Sequence, residues 1–293
     1  MILVPIRPSA ATVLLLAYLT VGQSASVCAE VPGLLNRLTG GGISLTDRDT
    51  VTLQSPILAD AEVEQSVLDE IAGGIGWKRF SRDSIVAPIE IDMDYLKDDA
   101  GQRIGHRVYV AFVVHCDIDT LRDRDRMDEL FGAVKDDPDA DDYHAEEITA
   151  DQLQRWDVDD EPEGMKYVAV RMPLLDRILV SGVVASQYVD TDPQLTISWM
   201  MDPRFADGKS EGPANRWQRI DGDEKKVHPY QGVGGYVQIT RLSEPTPACL
   251  VESRMVIHEP PQWFSGSNLL RSKLPLMIQE SVRKFRRQVS SPK

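Results

Sequence analysis

The clearest periodicity in the chain lies near its end. In "LLRSKLPLMIQESVRKFRRQV", Leu269 to Val289, the apolar positions Leu270, Leu274, Met277, Ile278, Phe285 and Val289 return at helical spacing and form one stripe, while Arg271, Arg283, Lys284, Arg286 and Arg287 lie largely off it. Burying six such side chains at roughly 1.5–3 kcal/mol each gives about 9–18 kcal/mol before ordering entropy is subtracted, enough to hold a helix against a sheet. Pro275 sits inside the pattern, so the helix is expected to begin near Ser272 or to kink there.

Two further stretches carry the helical period. "DAEVEQSVLDEIAGG" places Val63, Val67, Leu68 and Ile71 on one face between Asp60, a capping residue, and the stop at Gly73-Gly74. "DIDTLRDRDRMDELFG" offers Leu121, Met127, Leu130 and Phe131, with Asp117 or Asp119 as its cap.

Elsewhere the pattern is that of strands. In "IVAPIEIDMDYL", Ile89, Ile91, Met93 and Tyr95 alternate with Glu90, Asp92 and Asp94, giving one dry and one wet face. "KDDAGQ" turns the chain into "RVYVAFVVHCDI", apolar on nearly both sides and so expected to be central and covered twice. After Gly164 strand follows strand: "KYVAVRM", "ILVSGVVASQYV", "QLTISWMM", "NRWQRI", "GGYVQITRL" and "ACLVESRMVIHE", divided by Asp192-Pro193, Asp221-Gly222 and Glu244-Pro245. Leu195, Ile197, Trp199 and Met201 oppose Thr196 and Ser198; Val251, Ser253, Met255 and Ile257 oppose Glu252 and Arg254. Short connections imply an antiparallel, meandering sheet. Val31 to about Ser55, with "LTGGGISLTDRDT", reads as a peripheral extension holding one short strand.

Composition and charge narrow the function. A formal net charge of -14 argues against nucleic acid, whose phosphates require a basic face. The first 29 residues read as a secretory leader: Arg7, an apolar run from Ala11 to Val21 too short to span a bilayer, and Val27-Cys28-Ala29 as a processing site. The mature chain is therefore expected to be secreted or periplasmic. Val27 is larger than the residue a lipidated Cys28 would follow. Cys116 and Cys249 lie in apolar runs, as buried thiols or as a bridge.

The most acidic stretch follows Phe131. Asp137, Asp139 and Asp141 lack the turn Gly and closing Glu of a calcium loop, so residues 133–163 read as a solvated acidic loop around a short helix near Gln152. No G-x-S-x-G elbow occurs, and "GVGGY" and "GGIG" lack the context of a phosphate cradle. His106, His115 and His258 fall at strand positions, as structural histidines do. No catalytic residue, metal site or cofactor is assigned.

Helix, paired strands, a helical break, a run of strands and a closing amphipathic helix form an element order that resembles the START superfamily, the helix-grip (SRPBCC-like) lipid-transfer domains. The likeness spans Asp60 to Val289, with "PLLDRILVSGVVASQ" in the place of edge-to-centre strands and "PQWFSGSNLLRSKLPLMIQESVRKFRR" in the place of the closing helix. The acidic loop and the extension depart from it. The resemblance implies an α+β fold: a long curved antiparallel sheet wrapped around a C-terminal amphipathic helix, with two smaller helical segments closing one end. The expected organisation is a signal peptide over 1–29, an extension over 30–59 and a helix-grip domain over 60–290.

The resemblance also implies a cup for a sterol, phospholipid or other hydrophobic small molecule, lined on this chain by Tyr109, Arg171, Trp199, Met201, Trp217, Tyr236, Ser253, Met255, Trp263, Met277 and Ser281. Arg171 shares a face with Tyr167 and Ala169, where a buried guanidinium would need an acidic partner or an anionic ligand head. The functional expectation is an exported binding or carrier protein for a hydrophobic, lipid-like small molecule held between the curved sheet and the C-terminal helix. The alternative is an envelope scaffold or interaction protein on the same fold with a filled core; an enzyme would need a polar pair deep in the cup. The basic end of the last helix either complements the helix dipole and the acidic surface, or makes transient contact with a membrane surface.

Overall fold

Short turns join Glu90–Lys97 to Arg103–Val114, Met165–Leu174 to Ile178–Thr191, and Ile178–Thr191 to Gln194–Met201, and short turns permit only antiparallel pairing. The computed structural model describes residues 33–46, 48–58, 64–123, 144–158, 164–206, 212–220, 226–230, 232–242 and 247–290. Strands β1 (Ile43–Ser44) and β2 (Thr50–Val51) pair by themselves. The remaining ten form one antiparallel sheet: β3 (Glu90–Lys97), β4 (Arg103–Val114), β5 (His144–Glu147), β6 (Met165–Leu174), β7 (Ile178–Thr191), β8 (Gln194–Met201), β9 (Arg216–Arg219), β10 (Val227–Pro229), β11 (Val233–Leu242) and β12 (Ala248–His258). The order runs β3-β4-β12-β11-β8-β7-β6-β5, so the two last strands of the chain pair at the centre, between its first hairpin and its middle ones.

One edge of β7 serves two partners. Val184–Thr191 pairs with β8 and Ile178–Ser181 with β9. The gap between them is closed by Asn215, whose Oδ1 accepts from the Val183 N–H at 3.0 Å while its Nδ2 donates to the Asp202 carbonyl at 2.7 Å. Gly182 makes room for it, since a Cβ there would stand 2.3 Å from Asn215 Oδ1. The β9–β10 hairpin thus prolongs the sheet beyond β8.

The helices are α1 (Leu34–Asn36, continued by a π-turn over Arg37–Gly41), α2 (Gln65–Ala72), α3 (Trp77–Phe80), α4 (Ile118–Arg122), α5 (Ala150–Arg155) and α6 (Leu269–Ser290). α5 carries a capping box between Thr149 and Gln152. α4 stops at Arg122, and the expected continuation through Met127, Leu130 and Phe131 lies outside the described residues, as do Asp60, Val63, the leader and Asp137, Asp139 and Asp141. α6 runs through Pro275 as one helix.

The sheet bends around α6. Leu270, Leu274, Ile278, Val282 and Phe285 enter one cluster with the inward side chains of β4, β6, β7, β8, β11 and β12. At its far end α6 is tied down by Arg286, 97% buried. Its guanidinium donates to the carbonyls of Val113 at 3.0 Å, Ala87 at 2.7 Å and Pro88 at 3.2 Å, with a longer bond to Ile85 at 3.4 Å.

The outer face is covered too, and the extension expected to be peripheral does much of the covering. Leu34, Leu38, Ile43, Leu45 and Leu53 are buried against Tyr236 and Val256. Leu58, Ile71, Ala72 and Phe80 pack on Ala111, Val113 and Leu250, and Ile148, Val158 and Phe205 on Tyr167, Val183 and Ala185. Both faces of the central strands are therefore dry. β12 is buried even where alternation places Glu252 toward solvent.

Candidate functional site

The inner face is the natural place for a guest, and alternation in β8 and β12 delivers its side chains. Trp199 and Met201 on β8, Trp217 on β9, Ser253 and Met255 on β12, and Trp263 after β12 retain between 1% and 3% of their surface. The walls of a hollow large enough for a lipid would carry water-accessible surface; these side chains meet protein on all sides. At these positions the grip is filled. Met277 is buried on α6, and Ser281, one turn on, is half-buried.

Three residues expected on the inner face lie on the outer one. Arg171 is exposed, because Val170 and Met172 on either side of it point inward. Tyr109 faces α2 and α3, since Val108 and Val110 take the inward positions of β4; the Arg254 guanidinium lies 4.4 Å from its ring centre. Tyr236 is sealed under the N-terminal segment, its hydroxyl donating to the Gln54 carbonyl at 3.0 Å. Burial holds the phenols of Tyr109 and Tyr236 well above their usual pKa.

One group of aromatic residues collects around Trp263. Tyr230 stacks between His258 and Trp263, at 5.6 and 5.4 Å between ring centres, and Trp263 meets Trp217 edge-on at 6.2 Å. Burial lowers the pKa of His258 to about 4, so the ring stays neutral at physiological pH.

Beside this cluster lies a polar one that sequence spacing does not reveal. His106, on the inner side of β4, contacts Glu259 through Nε2, and Arg103 Nη2 reaches the other oxygen of Glu259 at 2.7 Å. Arg103 also donates to Asn268 Oδ1 at 2.8 Å and to the Ser267 carbonyl at 3.0 Å, and the Tyr95 hydroxyl donates to Asn268 at 3.0 Å. The first turn of α6 is thereby tied to β3 and β4. A paired imidazole and carboxylate is the machinery of proton transfer, but His106 and Glu259 are at least 98% buried, so in this conformation neither meets solvent or a solvent-borne substrate. Among the described residues, His106 Nδ1 and Trp263 Nε1 are buried without a hydrogen-bond partner.

A cavity of about 430 Å³ lies on the opposite side, between the N-terminal segment and the outer face of β7 and β8. Leu34, Arg37, Tyr167, Met200, Asp202 and Arg204 contribute to its walls. Arg204 Nε lies 3.0 and 3.1 Å from the two oxygens of Asp202, and Nη2 donates to the Tyr167 hydroxyl at 3.1 Å. The cavity depends on the N-terminal segment folding back over the sheet, which no local pattern announces. Among the described residues no group of three or more His, Cys, Asp or Glu side chains is arranged to hold a metal ion. Cys116 and Cys249 are free thiols, with Cys249 Sγ 3.6 Å from the Cys116 carbonyl.

No family model matches the sequence, and no curated protein matches it. Among solved structures, the lipid transfer and protein localization domain of human StarD13 is 10% identical over 69% of this chain and 86% of its own, with a TM-score of 0.38. Human STARD10 is 13% identical over 82% of this chain and 84% of its own, with a TM-score of 0.36. TTHA0849 from Thermus thermophilus is 12% identical over 62% of this chain and 93% of its own, with a TM-score of 0.29. By strand order, antiparallel register and the seat of the C-terminal helix, the chain has a helix-grip α+β fold, one long antiparallel sheet closed on its last helix.

Proposed function

We propose that the chain is a non-catalytic binding protein whose grip is a filled scaffold, with recognition carried by its surfaces. The supporting observation is the near-absence of accessible surface on Trp199, Met201, Trp217, Ser253, Met255 and Trp263, the inward residues a guest would have to touch. Organic extraction of the purified protein followed by mass spectrometry tests this. No stoichiometric lipid is expected, and one lipid recovered per chain would overturn the reading.

A second reading, uptake of a hydrophobic small molecule by opening of the grip, is favoured by the methionines around the inner layer. Met93, Met172, Met201, Met255 and Met277 come from four strands and α6, and unbranched thioether side chains rearrange at low cost around an irregular guest. Saturable one-to-one quenching of the buried tryptophans by a fluorescent fatty acid or sterol would support this second reading over the first. For location, the leader-like first 29 residues support export; cleavage after Ala29 in an expressing cell would establish it, and retention of Met1 in the mature chain would refute it.

A further inference from the structure

The chain carries a net charge of -14, yet two segments run strongly the other way. Ile75–Val86 and Ser281–Val289 together hold seven cations and one carboxylate, Asp83. Arg286 brings the segments together: its side chain reaches from α6 to the backbone of Ile85, Ala87 and Pro88. After burial itself, the proximity of Arg283 and Arg82 is what lowers the pKa of Arg286, so three guanidinium groups converge at this corner. Among the described residues no carboxylate pairs with Arg82, Arg283 or Arg286, and like charges so placed repel one another until an anion arrives.

The same corner exposes apolar side chains. Val86 is 61% exposed and Ile85 38%, at the tip of the loop that Arg286 holds; Ile75 is 39% exposed in the turn leading into α3. Exposed Lys78 and Arg79 follow Ile75. A soluble anion would use the cations and leave the apolar tip wet. An acidic protein would more often meet cations with a polar rim. Cations flanking projecting aliphatic side chains match a bilayer surface, which offers anionic headgroups with hydrocarbon beneath them.

We propose that the corner formed by the Arg82–Val86 loop and the last two turns of α6 docks on anionic membrane surfaces, with Arg82, Arg283 and their basic neighbours on headgroups and Ile85 and Val86 entering the interface. The assignment does not depend on whether the grip holds a guest.

The test is sedimentation of the full chain with vesicles of phosphatidylcholine alone and of phosphatidylcholine with phosphatidylserine, at low and high salt. The expected result is excess binding to the phosphatidylserine vesicles that fades with salt. Arg82→Glu combined with Arg283→Glu should weaken that excess at least roughly tenfold, given the contribution of each cation near an anionic surface. Val86→Asn, which removes the apolar contact without adding a charge, should weaken it without changing its salt dependence. Lys273→Glu, an exposed cation in the first half of α6, should leave it unchanged. The leader-like stretch is common to all variants, so the differences report the corner. The proposal falls if the protein shows no preference for phosphatidylserine, if the double variant binds as the parent does, or if Lys273→Glu is equally damaging. It also falls if the corner retains the protein on polyglutamate while vesicles do not bind, which would assign it to an acidic protein.

Discussion

The Glu252 carboxylate accepts a hydrogen bond from the backbone N–H of Ile57 at 2.9 Å, joining positions 195 residues apart. Its other oxygen takes the Arg254 Nε at 3.2 Å, and Arg254 Nη1 continues to Gln54 Oε1 at 2.7 Å. Gln194 donates to the Leu58 carbonyl at 2.8 Å, and Gln238 reaches the same oxygen. The outer face of the central strands is thus a polar seam sewn to the segment Gln54–Leu58. Both Glu252 and its seam are buried only because that segment is there.

Glu252→Ala should therefore do two things at once. It leaves the partly buried Arg254 guanidinium uncompensated and the Ile57 N–H without its acceptor, a loss on the order of 3–5 kcal/mol that chemical denaturation will read. It should also expose the segment 48–58 to limited proteolysis before the sheet unfolds. A variant that loses stability while the segment stays protected would show the seam to be dispensable. Burial raises the pKa of Glu252, so the folded state holds its proton more tightly than the unfolded one. Stability from this group then falls as pH rises from the ordinary carboxylate value through the raised one, and Glu252→Gln should remove that decline.

His258 works in the opposite direction. Its pKa falls to about 4 through burial, so between about 6.5 and 4 the unfolded chain binds a proton that the folded chain refuses. Stability is full above that window and is lost as pH drops through it, by at most about 3 kcal/mol. His258→Phe keeps the stack on Tyr230 and removes the proton site. The difference in melting temperature between pH 7 and pH 5 should shrink in the variant, and an unchanged difference would mean the imidazole is protonated in the fold.

Arg286 presents a cation caged by carbonyls. Arg286→Ala abandons the buried carbonyl contacts at Val113 and Ala87 and the part-buried one at Pro88, and should cost about 3 kcal/mol. Arg286→Lys can satisfy only part of the cage from a single nitrogen, so its stability should fall between that of the parent and that of the alanine variant. Equal stability of the lysine variant and the parent would show that the fork geometry is irrelevant.

What the sequence discloses follows from how many faces an element buries. α6 and β8 each show one dry stripe, and the stripe identifies Leu270, Leu274, Ile278, Phe285 and the Leu195–Met201 alternation correctly; Val282 belongs to the same face and escapes that reading. β4 and β12 are dry on both sides, so polarity no longer marks which side faces α6, and Tyr109 is expected on the wrong one. In β6 the small apolar Ala169 hides the outward face that Arg171 shares. Tyr236 is misplaced because its cover comes from Leu34–Leu53, a stretch rich in Gly, Thr and Asp whose few leucines carry no period. Arg286 looks like a surface cation because its partners are backbone carbonyls from a distant loop, invisible to any pairing rule for charges.

Whether the grip is filled or hollow can be read from Trp199. Its indole retains 1% of its surface among Leu195, Ile197, Met255 and the α6 stripe. In a filled core, Trp199→Ala removes a large side chain that neighbours cannot replace, and the loss should be about 3–5 kcal/mol, with a cavity left behind. Such a cavity is dry and apolar, so indole or benzene added to the variant should recover part of the melting temperature while leaving the parent unchanged. Beside a pre-existing hollow the outcome differs: one side of the indole would already lack contacts, truncation would cost well under that range, and small aromatics would stabilise parent and variant alike.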